Sequence, residues 1–495
     1  MQMYVGSQKE LKAFDQYLLD HGYTIEQLID KASDCLLPHF VDYSHVAIMV
    51  GPGNNGADGL SLALKLHEKH IDVDIFYIGD PERFSPGNQF YFNRCEEEDL
   101  QMILVDDDVL SHLTERINDY DVIADAFFGF GLNSAPRGLY KSVIDLINRY
   151  YCNDVIAIDI PTGLSCNSAH PYASVLFATS TICLTALKAG YLDPESLMVT
   201  GHVYVEELAI DNPFEEAGLY KLYEVEDAKA TLKKRAYNGY KKTYGVDLLI
   251  AGSHHYRGAP ILAAKGCALS GAGIVKVLSD PAVTQLLPAI LPEAIVIDRP
   301  ERLSEDLLKG HNAIMIGPGL GLDEQAENYL LDVFHNSDAP LVIDADGLTL
   351  LSKHLDLLKG DRTIVLTPHI GEFKRLLHTD EVDDVMEAAK DFAKKYHVIM
   401  VAKGPNTIVT DGTKNVRIHS GSPAMAVGGM GDTLAGIVTA FLGMHYKPID
   451  AVMLAVYLHS YVGEKLAKKA YTVMPEEVSK HMPEVMAELV NEDLK

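Results

Sequence analysis

Short, almost wholly apolar runs recur along this chain, and most of them end in glycine or aspartate. In the first half they occupy residues 46–50, 73–78, 122–124, 155–158 and 181–184. In the second half they occupy residues 247–251, 274–277, 313–316, 341–343, 363–366 and 398–401. Stretches of helical length, such as residues 374–377 and 385–396, separate most of them. Strands buried on both faces read as continuous apolar runs, so the pattern predicts mostly parallel sheets covered by helices. Each half is therefore expected to be an α/β layered domain. The 495 residues exceed one ordinary core, and the pattern breaks at residues 211–216. The join is expected between Ala209 and Ala236, giving domains over 1–211 and 225–495.

The chain carries a net charge of −28. Such a balance repels phosphate backbones and anionic lipid heads, so neither nucleic acid nor a membrane is an expected partner. A basic run, Lys233, Lys234 and Arg235 followed by Lys241 and Lys242, departs from it and reads as a solvated linker face. Six scattered cysteines form no C-x-x-C pair, which argues against a zinc site and for a reducing compartment. No apolar stretch reaches the roughly 18–20 residues that span a bilayer, and the polar N-terminus lacks a signal pattern. A cytoplasmic protein is the simplest expectation.

In the first half, residues 46–50 run into Gly51-Pro52-Gly53-Asn54-Asn55-Gly56-Ala57-Asp58-Gly59, with a helix expected from near Leu60. A strand, a glycine turn and a helix N-terminus form an anion or nucleotide site. The letters satisfy G-x-G-x-x-G, and Asp72 or Asp74 stands where a ribose-binding acid would be sought, which fits a dinucleotide dehydrogenase. Asp58 at the loop tip would repel a pyrophosphate and suits a cation or a sugar hydroxyl better. Asp125 and Asp159 end two further runs, so Asp58, Asp125 and Asp159 are expected to converge at one sheet edge.

The segments 54–59, 125–132, 159–163 and 185–188 together resemble the YjeF N-terminal domain, the NAD(P)H-hydrate epimerase family, over about the first 210 residues. The resemblance implies a Rossmann-like fold that interconverts the R and S forms of hydrated NADH or NADPH beside a bound potassium ion. It implies Asn55, Asp125 and Thr162 as cation ligands. It assigns substrate contacts to Asn54, Asn55, Gly56, Ala57 and Asp58, to Gly129, Phe130, Gly131, Leu132, Asn133, Ser134 and Ala135, and to Tyr140 and Asp159. Asp159 is the implied general acid/base, with Lys188 as its partner. Ala57 stands where the family usually has a second glycine, and Phe130 where it commonly has threonine.

The second half holds a long small-residue loop ending in Gly428-Gly429-Met430-Gly431-Asp432, ahead of an apolar helix continuing from Leu434. Backbone N–H groups there suit a phosphate in transfer, and Asp432 suits a base on a substrate hydroxyl. Alone, Asp432 reads equally well as a helix N-cap. Four companions follow strand runs: residues 403–407, 367–372, 317–321 and 344–347. With residues 256–264, 271–275 and 291–294 they resemble the ribokinase-like family, and within it the ADP- or ATP-dependent NAD(P)H-hydrate dehydratases, over roughly residues 225–490.

That resemblance implies nucleotide contacts at Lys403, Gly404, Pro405, Asn406 and Thr407 and at Ser422, Met425, Ala426, Gly428, Gly429, Met430 and Gly431. It implies substrate contacts at Gly319, His369, Gly371, Glu372 and Asp432. Magnesium would bridge the nucleotide phosphates, with Asp344 and Glu372 as its ligands or water anchors. The fused arrangement resembles bacterial members, which are generally ADP-dependent, and family members commonly assemble as homo-oligomers through the N-terminal domain. The whole reads as a bifunctional nicotinamide-hydrate repair enzyme. The alternatives are a small-molecule kinase fused to a Rossmann-like binding domain, a nicotinamide-dependent oxidoreductase, and a non-catalytic nucleotide-binding scaffold.

Overall fold

The computed structural model describes residues 3–168, 170–208, 210, 214, 219–382 and 384–491. The chain divides into two units, Met1–Lys221 and Leu222–Lys495. Most of the break expected at residues 211–216 lies outside the described residues. The first unit extends past residue 211 because Tyr220 and Lys221 pair antiparallel with Val5 and Tyr4.

The first unit is built on seven parallel strands. Their spatial order is Gln101–Leu104, Asp72–Tyr77, His45–Val50, Val122–Ala126, Asp154–Ile158, Ser180–Leu184 and His202–Glu206. This is the doubly wound Rossmann order, extended by one strand. Alternate residues of the central strand face opposite cores, as the pleat requires. Val46, Ile48 and Val50 pack under helices Ile25–Leu36 and Asn54–Glu68, while Ala47 and Met49 pack under Asp107–Arg116 and Leu139–Tyr150.

The second unit repeats the scheme. Parallel strands run in the order Ile295–Asp298, Ile274–Ser279, Val246–Ile250, Ala313–Ile316, Leu341–Ile343, Ile364–Leu366 and Ile399–Ala402. Thr407–Thr410 and Asn415–Ile418 then add antiparallel at the edge. The expected basic linker is partly packed on this unit. Arg235 lies 3.9 Å over the Tyr244 ring and donates to the Gly271 carbonyl at 2.8 Å, and Lys233 lies 4.5 Å over Tyr446.

Helix Met430–Gly443 crosses helix Gly258–Leu269 at close range because both carry glycine at the crossing. A Cβ on Gly436 would stand 2.0 Å from the Ala263 carbonyl oxygen, and one on Gly266 2.5 Å from that of Thr433. This crossing sets the depth at which the head of the Met430 helix meets the sheet edge. Gly436→Ala is expected to destabilise the second unit by about 1–3 kcal/mol, read as a lower urea midpoint for that unit.

Candidate active sites

Strand order in the first unit reverses between His45–Val50 and Val122–Ala126, and a crevice opens where the chain leaves these neighbours in opposite directions. Gly51 passes under Phe127 so closely that a Cβ would stand 1.7 Å from its carbonyl oxygen. Fully buried Asn88 donates from Nδ2 to the carbonyls of Gly51 (2.8 Å) and Gly53 (2.9 Å) and holds the loop open. The sequence reading missed Asn88, since a lone asparagine inside a helix carries no signal.

Helix Asn54–Glu68 begins at Asn54 rather than near Leu60, so residues 54–58 are helical. Ala57 therefore needs no positive φ and sits buried. The Asn54 Oδ1 accepts from Ser85 at 2.8 Å. The Asn55 Nδ2 is buried without a partner, and Gly129 packs against that side chain, a Cβ there standing 3.3 Å from the Asn55 Cβ. Asp72 and Asp74 cannot hold a ribose beside this loop. They begin their parallel strand, whereas Gly51 follows the end of its neighbour, so they lie at the opposite sheet edge. Asp74 instead accepts from the Tyr120 hydroxyl at 2.6 Å.

Asp125 is buried beside Thr162. Its carboxylate accepts from the Thr162 backbone N–H and hydroxyl, each at 2.7 Å, and the same hydroxyl accepts from the Phe128 N–H at 3.1 Å. Burial pushes the Asp125 carboxyl up to about 6, against the pull of these bonds.

Three residues earlier than Thr162, Asp159 occupies a strained turn. Its φ is +66°, and the Ile160 N–H donates back to the Ile158 carbonyl at 2.8 Å. Thr185, at φ +71°, repeats this turn at the end of the adjacent strand, with Ala186 donating to Leu184 at 2.8 Å. Non-glycine residues held this way cost on the order of 1–3 kcal/mol each and mark functional sites. The paired turns bring buried Lys188 onto the Asp159 carboxylate, which also accepts from the Leu184 N–H at 3.1 Å. Burial opposes the Lys188 charge, but Asp159 and neighbouring Cys183 outweigh it and raise its pKa. Asp58, half-buried, lies within charge range of Asp159. Burial first, then Asp159 and Asp15, push its carboxyl well up.

In the loop 129–135, the Phe130 carbonyl and the Asn133 Oδ1 accept from the Gln8 Nε2 at 2.7 and 2.9 Å. Leu132 accepts from the Tyr172 hydroxyl at 3.4 Å, Gly131 and Ser134 are exposed, and Ala135 is half-buried. Tyr140 packs on Phe127 and Phe128 and donates to the Ile78 carbonyl at 3.2 Å. Gln8, and the N-terminal helix it starts, escaped the sequence reading because the contact spans more than a hundred residues.

In the second unit the strand ends after Ile343, Leu366 and Ala402 converge on one charged cluster. The Asp344 Oδ1 accepts from the Lys403 Nζ and the Thr367 hydroxyl, each at 2.8 Å. Glu372 lies 3.9 Å from the same ammonium. Burial works against the Lys403 charge, yet Asp344 and Glu372 raise its pKa on balance. Ala345, at φ +51°, turns the chain between Asp344 and Asp346. The Asp346 Oδ2 accepts from the Gly321 N–H at 2.9 Å, and Gly319, at φ +60°, leaves room that Tyr256 would deny to a side chain.

His369 caps helix Ile370–Leu377. Its Nδ1 accepts from the Gly371 and Glu372 N–H groups at 3.0 and 3.4 Å, while the His369 N–H donates to Glu372 at 2.8 Å. With Nδ1 so engaged, the half-exposed ring presents Nε2 outward, 3.5 Å from the Glu372 Oε1.

Helix Met430–Gly443 starts within the glycine loop, and its N-cap is Gly429 at φ +90°. Asp432 lies in its first turn and caps nothing, which removes the N-cap reading. A Cβ on Gly431 would stand 3.2 Å from the Lys403 Nζ and 3.8 Å from the Asp344 Oδ2, so glycine brings the helix N-terminus onto the cluster. Burial, then Asp344, push the Asp432 carboxyl up to about 6, with Lys403 opposing.

The other residues expected to contact the nucleotide lie in and beside the loops 403–407 and 422–428. Thr407 donates to the Gly404 carbonyl at 3.0 Å, Asn406 shares a 2.6 Å bond with His419, and Ser422 caps a short turn, accepting from Ala424 at 3.2 Å. Met425 packs on Gly463, Pro405 and Ala426 are exposed, and Gly428 faces open space.

Fold and sites together define an α/β protein with a Rossmann-like unit, built around a buried Asp–Lys pair, and a ribokinase-like unit suited to phosphoryl transfer. Residues 24–190 match the family model described as YjeF-related protein N-terminus, and residues 247–484 match that described as NAD(P)H-hydrate dehydratase. A bifunctional NAD(P)H-hydrate repair enzyme from Thermofilum pendens is 30% identical, covering 86% of this chain and 83% of its own. One from Gloeobacter violaceus is 30% identical and covers 94% of each. The ADP/ATP-dependent NAD(P)H-hydrate dehydratase from Bacillus subtilis, co-crystallised with ATP and magnesium, is 32% identical. It covers 54% of this chain and 98% of its own at a TM-score of 0.50. The chain belongs to the family of bifunctional NAD(P)H-hydrate repair enzymes.

Asn88→Ala would strand two loop carbonyls. It is expected to cost about 1–3 kcal/mol, measured by thermal unfolding, and to lower turnover at the first site without touching the second.

Proposed function

We propose that the first unit interconverts the R and S forms of hydrated NADH and NADPH, and that the second dehydrates the S form at the expense of an adenine nucleotide. The observation that carries the second half is an uncapped, half-buried Asp432 at a glycine-started helix N-terminus beside the Lys403–Asp344 pair. Asp432 takes the proton of the ring hydroxyl, whose oxygen attacks the terminal phosphorus of the nucleotide. The helix N-terminus and Lys403 offset the charge that grows on the transferring group. The ring C–O bond then breaks with its electrons leaving on phosphate, and loss of a ring proton restores the double bond. Phosphorylation matters because phosphate leaves far more readily than hydroxide. We take ADP as the donor, on the fused bacterial arrangement.

Magnesium fits the cluster. The Asp344 Oδ1 takes both bonds and its Oδ2 lies toward Gly431, a hard oxygen on the phosphate side. With Glu372 it would hold the ion or its waters, and the ion would offset the negative charge of the nucleotide phosphates. In the first unit, Asp125 is fully buried with hydrogen-bond donors but no cationic side chain among its described partners, and Asn55 has an unpaired amide. A monovalent cation such as potassium, held by Asn55, Asp125 and Thr162, would neutralise that carboxylate. There Asp159, fixed by Lys188, serves as the acid/base at the hydrated carbon.

Exposed Leu197 and Met198 near the edge strand, together with Tyr204 on it, support assembly of copies through the first unit. No helix among the described residues is long and apolar enough to cross a membrane. Six free cysteines favour the cytoplasm.

A base must be ionised, so a carboxyl raised to about 6 gains activity as pH rises through 6 and loses it as pH falls. S-hydrate consumption with ADP is expected to follow that limb. Asp432→Asn should lower it by about 10²–10⁴-fold and abolish the limb; full retained dehydration would sink the assignment. A stable phosphorylated product in place of NADH would instead mark a kinase. Replacing potassium by tetramethylammonium should slow interconversion of the hydrates, and Asp125→Ala should remove that response.

A further inference from the structure

Interconversion of the hydrates, the reading on which this inference rests, asks Asp159 both to give a proton and to take one. The departing hydroxyl needs a proton at neutral pH, and Asp159 is committed to accepting bonds from Lys188 and the Leu184 N–H. Lys188 is itself enclosed by Asp159, the Cys183 thiol and the carbonyls of Leu184 and Ala186.

The N-terminal helix Gln8–Asp20 brings a third group. Its apolar face, Leu11, Phe14 and Leu18, packs in one cluster with Ile160 and Leu164, on the segment that begins at Asp159. Its first residue, Gln8, bonds the Phe130 carbonyl and Asn133 in the substrate loop. Asp15, next to Phe14, lies within charge range of Asp159 and Lys188, and nothing among the described residues hydrogen-bonds to it. Its side chain stays open to water although protein surrounds it on most sides, the situation of a group on a cleft wall.

We propose that Asp15 is the proton donor that works with Asp159 in the inversion of the hydrated carbon. Asp15 gives its proton to the ring hydroxyl, the C–O bond breaks with its electron pair to leave water, and the ring-nitrogen lone pair closes a C=N bond. Water then adds to the opposite face of that carbon. The C=N pair returns to nitrogen, and the surplus proton goes to Asp159. Solvent exchange, open to Asp15, resets the pair. The roles divide because Lys188 bonds directly to Asp159 and reaches Asp15 only through space.

The groups around Asp15 are Asp159, Lys188 and Asp58, with the Cys166 and Cys183 thiols and the Tyr191 phenol behind them, and Glu10 on its own helix bonded to the Ser7 N–H. Burial, then Asp159, push the Asp15 carboxyl up to about 7, with Lys188 opposing. A donor must carry its proton, so kcat should fall as pH rises through about 7.

The full chain is given R-hydrate alone, and R-to-S conversion is followed from pH 6 to 9 above the uncatalysed rate. Asp15→Asn is expected to lose about 100-fold or more in kcat, with KM nearly unchanged, and to lose the high-pH limb. Asp15→Glu should recover part of the rate with the limb present. Consumption of S-hydrate by the second unit should stay at the wild-type rate, and the nearly unchanged KM for R-hydrate shows that the first unit is folded. An Asp15→Asn protein within threefold of wild type, or one retaining the limb, overturns the proposal and leaves the epimerase reading standing. A wild-type chain that interconverts nothing overturns both.

Discussion

Both halves of this chain depend on a reversal of strand order in a parallel sheet. In the first unit the chain steps outward from His45–Val50 on one side and then returns to lay Val122–Ala126 on the other. In the second it does the same around Val246–Ile250 and Ala313–Ile316. Every parallel strand ends at one edge, and the helices beside the reversal depart in opposite directions, so a crevice forms there whatever the side chains are. The contact at Gly51 is a consequence. The backbone that leaves this edge passes the Phe127 carbonyl with no volume left for a Cβ.

Each crevice then uses the same electrostatic device. A lysine whose charge burial opposes is kept cationic by an aspartate at a strand end: Lys188 by Asp159, and Lys403 by Asp344. A backbone held at positive φ, at Asp159 itself or at Ala345 after Asp344, aims each aspartate. Breaking such a buried pair from one side typically costs about 3–5 kcal/mol. Burial first, and then the carboxylate of each pair, raises neighbours that have no bonded cation of their own, Asp15 and Asp58 in one unit and Asp432 in the other. Fixed charges and movable protons are thus separated within a few residues, in a chain whose bulk charge would otherwise repel anionic dinucleotides.

The apolar runs located most of the inner strands because strands buried on both faces must be continuous hydrophobic segments. Gln101–Leu104, Ile295–Asp298 and His202–Glu206 escaped them for the complementary reason. They lie at or next to sheet edges, are partly exposed, and need no unbroken apolar stretch. The helix start at Asn54 was also misplaced, because that helix is entered through glycine without a capping side chain to mark it.

By itself, the sequence determined the two layered α/β units, the glycine loops, and which aspartates stand at strand ends. Those properties are local, written by periodicity and by residues that permit tight turns. Only the tertiary structure decided which groups meet. It sent Asp72 and Asp74 to the wrong edge for a ribose, took Asp432 off the helix cap, closed Lys188 onto Asp159, brought Asn88 and Gln8 to the first site, and packed the helix that carries Asp15 against the segment after Asp159. Each of these outcomes turns on strand direction or on contacts between distant segments, where desolvation and charge act through space and leave no trace in the spacing of residues along the chain.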